Sequence, residues 1–438
     1  MISDPTTFDP SLDLVEGDRV ELTVGAPAHG GHCVARLDNR VFFVRHALPG
    51  ERVTVEITER HKGYLRADAV EILAPSPDRV TAPCHFAHPG GCGGCDLQHV
   101  ASDAQLRWKG DVVREQLRRL AKLADFPVRV EPLPTAASPT RPLESADGAA
   151  ERLLGWRSRV RYAVDAAGRP GLLQHRSHQV VAIDRCIIAH PAIQELDVLS
   201  HDWADADAVE TIASTGGDVA VLTRPSGAGA GPADDPTDAP AGGSRVQLSG
   251  PAEVTEVAAG REWHVRPEGF WQIHPAAAET LAATVVELLR PAAGEVTWDL
   301  YGGAGLFAAA VTAHTGARTT VVESSPLSCA AARAGLADLP AVEVVEGRVE
   351  VALQRRRITA PVDLVVLDPP RSGAGARVVR GIADAGPRAV AYVACDPAAL
   401  ARDVATFGEL GWRLTELRAF DCFPMTQHVE CVALIEPV

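Results

Sequence analysis

The sequence predicts an α/β protein whose C-terminal part is a doubly wound, mostly parallel sheet, preceded by a small β-barrel and a middle domain with a cysteine-rich loop. Three observations predict this organisation. Short strands of alternating apolar and polar residues occupy residues 15–73. Three cysteines fall between residues 84 and 95. From about residue 262, apolar strands alternate with alanine-rich helices, which is typical of a parallel sheet covered on both faces.

The chain of 438 residues is too long for one ordinary core, and its pattern divides it into three predicted domains. Residues 1–75 contain four strand-like segments, DRVELTV, NRVFFV, GERVTVEITE and LRADAVEIL, which indicate a small barrel. A proline-rich segment follows and marks the start of the middle domain, residues 76–261. Residues 262–438 form the C-terminal domain.

The middle domain combines a helix with two segments that lack any core-forming pattern. Residues 101–123 have helical periodicity, and we expect this helix to pack on the C-terminal domain. Residues 134–150 and 224–244 are rich in Pro, Gly, Ala and Asp. The second segment lies between strand-like GDVAVLT and SRVQLSG, so it is predicted to be a disordered insertion inside a domain.

Composition and charge limit the classes of function. An apolar content of 46% with 23% charged residues is that of a globular protein, and no apolar run is long enough to cross a membrane. The acidic start differs from a signal peptide, so we expect a cytoplasmic protein. We also expect it to be a monomer. The net charge of −15 excludes a uniformly basic nucleic-acid binder, but residues 152–185 hold seven arginines against two aspartates. That basic stretch is either a solvated sheet face or a phosphate-binding surface.

The C-terminal domain contains apolar strands at VTWDLYG, ARTTVVES, PVDLVVLDPP and RAVAYVAC. The last two strands, WRLTELRAF and HVECVALIE, are joined by a segment too short for a crossover helix, so this pair is predicted to be antiparallel. Gly303 and Gly305 follow the first of these strands and would let the backbone approach a ligand closely. Glu323 ends the next strand, where a carboxylate can accept hydrogen bonds from ribose hydroxyls.

Both NAD and S-adenosylmethionine (SAM) need such a glycine loop and carboxylate, and two features favour SAM. Asp299 stands just before the loop, where it could accept hydrogen bonds from an amino-acid ammonium but would repel a pyrophosphate. The turn Asp368-Pro369-Pro370-Arg371 follows an apolar strand and resembles the loop with which many SAM-dependent methyltransferases hold a target base.

The spacing Cys84-x7-Cys92-x2-Cys95 in a glycine-rich loop indicates a polydentate metal site. Cys186 is the best candidate for a fourth ligand, and the alternatives for a zinc site are His85, His88 and His99. Four thiolates suit either Zn²⁺ or an iron–sulfur cluster, and the residues alone leave both open. A further cysteine, Cys395, stands where an apolar strand ends. It is either a packing residue or a nucleophile, because ligands bind at the carboxyl ends of parallel strands.

Together these motifs resemble those of the iron–sulfur, TRAM-domain RNA (uracil-5-)-methyltransferases, which make 5-methyluridine in ribosomal or transfer RNA. The segments FWQIH, YVACDPAALARD and MTQHVE carry the resemblance beside the cysteine cluster and the barrel. It implies an OB-like TRAM barrel that binds RNA, followed by a central α+β domain with the iron–sulfur loop. It also implies a Rossmann-like class I SAM-dependent methyltransferase domain. A [4Fe–4S] cluster is implied on Cys84, Cys92, Cys95 and Cys186.

The resemblance also implies roles for individual residues. Gln272, Tyr301, Glu323 and Asp368 fall on cofactor-site positions, beside Asp299, Gly303 and Gly305. Cys395 matches the nucleophile and Glu430 the base. The asparagine that usually follows the nucleophile is Asp396 here. The predicted RNA contacts are four arginines: Arg157, Arg159, Arg161 and Arg371.

The reaction that these residues imply is covalent. Carbon 5 of uracil is a poor nucleophile until a thiolate adds to carbon 6, and a base must later remove the surplus hydrogen from carbon 5. We therefore expect formation of 5-methyluridine, with 23S ribosomal RNA as the favoured substrate and transfer RNA as the alternative. Two other classes stay open at this point: a non-catalytic RNA-binding protein, and an NAD-linked redox enzyme that uses the cluster.

Overall fold

The computed structural model describes residues 14–134, 153–227 and 245–438. Most of the predicted insertion at 224–244 and nearly all of the segment 134–150 therefore lie outside the described residues. Within the described ranges, no helix has both the length and the apolar character needed to cross a membrane.

The N-terminal part is a closed five-stranded barrel, as its alternating pattern predicts. Leu22, Phe42 and Val53 point into its core and are at most 3% exposed. The second strand was not predicted, because its apolar run is short and is interrupted by polar residues. The strands have the order β1-β2-β3-β5-β4 and are β1 Arg19–Ala28, β2 His32–Leu37, β3 Arg40–Arg45, β4 Arg52–Arg60 and β5 Leu65–Ala74.

The middle part consists of one long helix, a six-stranded sheet of order β12-β11-β10-β7-β8-β9, and a hairpin of β13 and β14. The long helix continues into one π-helical turn, Leu117–Ala121. Strands β11 and β12 flank the predicted insertion and pair antiparallel. The elements are α1 Ser102–Gln116, β6 Val130–Pro132, β7 Arg159–Val164, β8 Pro170–Leu173, β9 Val180–Ala182, α2 Pro191–Gln194, β10 Ala206–Ala213, β11 Val219–Pro225, β12 Val246–Ser249, β13 Val254–Ala258 and β14 Arg261–Val265.

The C-terminal part is an eight-stranded sheet of order β17-β16-β15-β18-β19-β21-β20-β6, with helices on both faces. Strands β15 to β19 run parallel to one another, and β21 is antiparallel to both β19 and β20, which confirms the predicted reversal. The strands are β15 Thr297–Leu300, β16 Thr319–Glu323, β17 Val342–Glu346, β18 Leu364–Leu367, β19 Ala389–Ala394, β20 Trp412–Asp421 and β21 Glu430–Pro437.

Six helices cover this sheet: α3 Ala277–Leu289, α4 Leu306–Thr315, α5 Pro326–Gly335, α6 Val349–Gln354, α7 Ala376–Ala385 and α8 Pro397–Glu409. Helix α8 shows why they form where they do. Asp396 caps its first turn by accepting a hydrogen bond from the Ala399 amide, and Pro397 occupies its first position. Leu400 and Phe407 form its buried face.

Helix α1 joins the barrel to the catalytic sheet. Trp108 and Val112 on one side belong to the barrel core, while Val113 and Leu117 on the other belong to the core of the C-terminal sheet. Strand β6, a few residues further on, adds to the edge of that sheet beside β20. The middle of the chain thus contributes directly to the C-terminal sheet.

Candidate active site

Five residues that the sequence singles out lie at one edge of the C-terminal sheet. Parallel strands β15, β16, β18 and β19 all end at this edge, and the antiparallel β21 begins there. Asp299 lies in β15, Glu323 ends β16, Asp368 follows β18, Cys395 follows β19, and Glu430 opens β21. The topology therefore gathers one thiol and four carboxyl groups where ligands bind in such sheets.

Cys395 and Glu430 occupy facing positions. Ala394 pairs with Cys431, so the residues just beyond this pair are Cys395 on one strand and Glu430 on the other. Glu430 is only 3% exposed, and burial followed by the charge of Asp368 raises its pKa well above the usual range. Burial and then Glu430 also raise the pKa of Cys395, whereas Arg371 lowers it. Both groups are therefore biased toward their neutral forms in the free protein.

Asp299 is fully buried and has one oxygen without a partner. Its Oδ2 accepts a hydrogen bond from the Ala308 amide at 2.8 Å, which ties the strand to helix α4, while Oδ1 has no hydrogen-bond partner. Burial, followed by the charge of Glu323, raises the pKa of Asp299 to about 7. An unpartnered buried carboxylate oxygen is costly unless a ligand donates to it.

The glycine loop and Glu323 form the neighbouring wall. The Gly303 amide donates to Glu323 Oε2 at 3.1 Å, and a side chain at Gly303 would meet no atom within 4 Å, so the space beside it is open. Gly305 has a φ of +91° and caps α4; a side chain there would meet Leu336 at 2.5 Å. Gly305 is therefore required both by its backbone conformation and by the close approach of Leu336, whereas Gly303 borders open space.

Tyr301 belongs to the turn that leads into this loop, and Gln272 lies in a segment that packs into the same core. Tyr301 follows β15 with a φ of 61°, and its amide donates to the Val322 carbonyl at 2.9 Å. Gln272 is half-buried between Trp271 and Ile273, two members of the core that also includes Ala304 of the glycine loop.

Asp368 begins a loop that is held by a residue the sequence reasoning missed. Burial, then Asp299 and Glu323, raise the pKa of Asp368 to about 7. Further along this loop, Asp403 of α8 accepts hydrogen bonds from the Ala374 amide at 2.8 Å and the Tyr392 hydroxyl at 2.7 Å. The sequence signal for Asp403 was that an acidic residue lies on the apolar face of the predicted helix.

A second missed contact reaches the site from the barrel. His29 Nε2 lies 3.0 Å from Asp396 Oδ2, directly after the nucleophile position, and the next amide, Gly30 N–H, donates to Gln427 at 3.3 Å. Although burial raises the pKa of Asp396, the hydrogen bond and charge of His29 hold it below its usual range. No local sequence signal links residues this far apart.

These features fit SAM. Its ammonium and sulfonium groups are cationic, and the wall at this edge carries mutually repelling carboxyls, one with an unpartnered oxygen. The open space beside Gly303 leaves room for a ligand to approach the backbone.

Comparison with known proteins agrees with this geometry. A TRAM-domain family model matches residues 14–70, and a tRNA (Uracil-5-)-methyltransferase family model matches residues 353–438. An uncharacterized RNA methyltransferase of Streptomyces avermitilis is 47% identical, covering 96% of this chain and 99% of its own. A protein of Thiobacillus denitrificans named 23S rRNA (uracil(1939)-C(5))-methyltransferase RlmD is 32% identical over 93% of this chain and 97% of its own.

The chain belongs to the RNA (uracil-5-)-methyltransferase family. The crystal structure of Pyrococcus abyssi tRNA (uracil-54, C5)-methyltransferase with S-adenosyl-L-homocysteine has the same fold. Its TM-score is 0.68 at 23% identity, covering 95% of this chain and 100% of that one. The predicted architecture, a TRAM barrel followed by a SAM-dependent methyltransferase domain, is thereby confirmed.

In this family member the four predicted metal ligands line one cavity. Cys84, Cys92, Cys95 and Cys186 all contribute to its wall, and burial, followed by the charges of neighbouring cysteines, raises the pKa values of Cys92 and Cys95. All four are free thiols. Among the described residues, no group of three or more His, Cys, Asp or Glu has the compact arrangement that would hold a metal ion.

The predicted RNA contacts of this methyltransferase lie in less accessible places than their sequence pattern indicated. Arg157 is 4% exposed and donates to the Arg159 carbonyl. Arg159 donates to the carbonyls of Pro267 and Gly269 at 3.0 and 2.8 Å. These positions indicate structural roles for Arg157 and Arg159 and give the prediction that they hold RNA no support.

Arg161 lies 3.9 Å from Glu210 and is half-buried, so it too has a protein partner. Arg371 differs from the other three. It stands directly after the Asp-Pro-Pro turn, and its charge acts on both Cys395 and Glu430. Of the four arginines, it is therefore the one placed beside the reactive groups.

Proposed function

We propose that this protein transfers a methyl group from SAM to carbon 5 of a uridine in RNA, with Cys395 as nucleophile and Glu430 as base. The facing positions of these residues at the ligand-binding edge of the sheet carry the proposal. A thiol and a buried carboxyl side by side are the two groups that attack at carbon 6 and proton removal at carbon 5 require.

In this mechanism the Cys395 sulfur forms a bond to carbon 6 of the uracil, and the resulting enolate makes carbon 5 nucleophilic. SAM, when bound, supplies the methyl group on a sulfonium. Glu430 then takes the hydrogen from carbon 5, and the electrons of that C–H bond form the C5–C6 double bond as the sulfur leaves. The raised pKa of Glu430 makes its carboxylate a stronger base than an exposed one.

The Cys395 thiol must lose its proton before attack, and burial and Glu430 both oppose this. The charge of Arg371 lowers the pKa of this thiol and so favours the thiolate. A bound sulfonium would add a second positive charge near the same carboxyls, so occupancy of the SAM site favours the thiolate.

The proposed substrate is 23S ribosomal RNA, with transfer RNA as the alternative. The 32% identical relative named for 23S rRNA supports the first, and the name of the matching C-terminal family model supports the second. The barrel of residues 1–75 and the middle domain of residues 76–261 would hold the RNA, and residues 262–438 would carry the chemistry. We propose a monomeric enzyme in which one chain holds both Cys395 and Glu430.

We also propose a [4Fe–4S] cluster on Cys84, Cys92, Cys95 and Cys186, with Zn²⁺ as the alternative. Zinc binds thiolates at about 2.3 Å, so its four sulfurs must lie close together. All four cysteines line one cavity, which supports a shared metal centre, and the resemblance of the cysteine motif to the iron–sulfur family favours the cluster over zinc. Anaerobic purification with iron, sulfide and zinc analysis tests this: one zinc per chain and no iron would overturn the cluster.

The decisive experiment for the main proposal compares RNA from a strain lacking the gene with wild-type RNA. We expect one 5-methyluridine to disappear and to return with the wild-type gene but not with Cys395→Ala. Mass-spectrometric mapping in 23S and transfer RNA identifies the substrate. Unchanged 5-methyluridine in both RNAs would refute the proposed function.

A further inference from the structure

A second cavity lies away from the proposed active site, between the barrel and the cysteine loop. It encloses about 780 Å³, part of it open to solvent. Strands β2, β3 and β5 form one wall with their outward-facing residues, and the turn between β8 and β9 closes the other side. Cys92 lines both this cavity and the cysteine cavity, so the two adjoin.

The barrel wall of this cavity is unusually rich in buried basic side chains. His32 is 6% exposed and Arg45 is 8% exposed, although both lie on the outer surface of the barrel. Register places Phe43 beside Arg66 and Arg45 beside Asp68 on adjacent strands. Arg176 adds a third guanidinium from the turn after β8. Three arginines therefore surround one space.

Three hydrogen-bond donors on this wall have no partner. The Nε atoms of Arg45 and Arg66 make no hydrogen bond, and neither does Nδ1 of His32. Arg66 Nη1 lies 3.4 Å from His32 Nε2; a guanidinium can only donate, so Nε2 accepts and Nδ1 carries the proton of the neutral ring. Burial, then Arg66 and Arg45, lower the pKa of His32 to about 3, which keeps the ring neutral.

The carboxyl groups present do not satisfy these donors. Glu59 is shared, at 3.5 Å from Arg66 Nε and 3.8 Å from Arg176 Nε, and it also lies 3.0 Å from His61. Arg45 is paired through Nη2 with Asp96 at 3.2 Å, which leaves its Nε free of a partner. Burial raises the pKa of Asp68, the other carboxyl in the wall. The wall thus offers more donors than acceptors.

Phe43 provides a flat apolar surface in the same cavity. Its ring is held edge-on by His32 at 5.5 Å and by Tyr64 at 5.2 Å, so its orientation is fixed before any ligand arrives. A fixed ring can stack on a nucleobase, and guanidinium groups suit a phosphate. The two features lie side by side, because Phe43 and Arg66 are register partners.

We propose that this cavity binds one nucleotide of the RNA substrate, its phosphate between Arg45, Arg66 and Arg176 and its base on Phe43. This inference rests on the proposed function, since it takes RNA as the substrate. It adds a second nucleotide-binding site, separate from the site where the uridine reacts. The outer faces of the second and third strands of OB-like barrels are suited to oligonucleotides in general.

The test uses the full-length protein, purified anaerobically, and whichever in-vitro transcript, 23S rRNA or transfer RNA, it methylates. Arg66→Gln and Arg176→Gln are compared with Arg19→Gln, which removes the same charge from an exposed arginine elsewhere on the barrel. For each cavity variant we expect RNA binding to weaken about tenfold and its log–log salt slope to fall by roughly 0.7 per lost phosphate contact. KM for RNA should rise likewise, while kcat and SAM affinity change less than about twofold.

Phe43→Leu and Phe43→Trp test the stacking surface. The first should weaken RNA binding about tenfold, and the second should retain it, because a flat ring is kept. Arg176 is half-exposed, so the Arg176→Gln variant folds even where Arg66→Gln does not.

Three outcomes would overturn the inference. Wild-type enzyme that methylates RNA while the cavity variants behave like Arg19→Gln would leave the proposed function intact and remove the nucleotide site. Binding of inorganic phosphate or UMP, with RNA affinity insensitive to Arg66 and Arg176, would make the cavity a small-anion site. Wild-type protein that neither binds nor methylates either RNA would defeat the proposed function itself, and this inference with it.

Discussion

His29 of the barrel lies 3.0 Å from Asp396, the residue that follows Cys395 in the chain. Asp396 also caps helix α8 through the Ala399 amide, so the barrel contacts a residue that lies between the end of β19 and the next helix. The usual asparagine of the family could cap the helix equally well, but it would not form an ion pair. This contact therefore explains why an aspartate is tolerated here.

We expect His29→Ala to lower the rate of methyl transfer two- to fivefold, because a half-exposed ion pair of this kind contributes about 0.5–1 kcal/mol. Asp396→Asn keeps the helix cap and should have a similar effect. The double variant should be no worse than either single one, since both remove the same contact. Single-turnover rates at saturating SAM measure this. Additive losses would contradict the coupling.

Substitutions of Cys395 and Glu430 should block the reaction at two different steps. Cys395→Ala should abolish turnover and any covalent adduct with 5-fluorouridine RNA. Glu430→Gln should form the adduct with ordinary RNA but release it slowly, because the hydrogen on carbon 5 is no longer removed. Denaturing gels of protein with labelled RNA separate the two results.

Cys33→Ala is the matched control for this experiment. It removes another buried thiol, in the barrel core rather than in the C-terminal sheet, and should keep both adduct formation and turnover. An adduct that survives Cys395→Ala, or that is lost in Cys33→Ala alone, would contradict the assignment of the nucleophile.

The raised pKa of Asp299 predicts that SAM binding strengthens with pH. Asp299 titrates near pH 7 in the free protein, so a proton occupies it at pH 6 and must leave before the carboxylate can accept from the ammonium of SAM. Binding should therefore be weaker at pH 6 than at pH 8 and should release protons. Titration calorimetry in two buffers of different ionisation enthalpy measures both effects.

Asp299→Asn separates this charge effect from structure. The amide oxygen can still accept from Ala308, so the fold should persist, while SAM affinity falls at least tenfold and loses much of its pH dependence. The pH dependence of SAM affinity that remains in this variant should come from Asp368, whose pKa is also about 7. Unchanged affinity at both pH values would show that Asp299 lies outside the SAM site.

The buried Lys109 predicts a large loss of stability. It is fully buried on α1 and donates to Asp421 and, at 3.0 Å, to the Phe423 carbonyl. Lys109→Met would leave Asp421 buried without its partner, which costs about 3–5 kcal/mol of unfolding free energy. Urea denaturation measures the change. The exposed Lys122→Met should stay within about 0.5 kcal/mol of the wild type.

The strand-edge residues were predictable because their positions follow from topology. An apolar strand followed by a reactive residue, and a reversed last strand, suffice to bring Cys395 and Glu430 to one edge. Contacts such as His29 with Asp396 were not predictable, because they depend on how the barrel docks. Strand β6 was missed for a similar reason, since three residues joining a distant sheet leave no periodic signal.

The arginines show the limit of reading a strand by its pattern. Arg157 and Arg159 are two residues apart, which is the period of a strand, and this pattern predicts a solvent-exposed face. The segment at 266–269 covers that face and accepts hydrogen bonds from Arg159 through the backbone carbonyls of Pro267 and Gly269. Only the tertiary arrangement distinguishes a covered basic face from one that meets RNA.

Helix α1 is buried against the barrel on one side and the catalytic sheet on the other. Rotating the barrel would expose Trp108 or Val113 to water, so the separation between the barrel and the reactive sulfur is a preset length. Helix α1 therefore sets a fixed distance between the barrel and Cys395. An RNA gripped at the barrel can deliver only a uridine that lies the matching distance along its path, and site choice can follow from measured length rather than from reading bases.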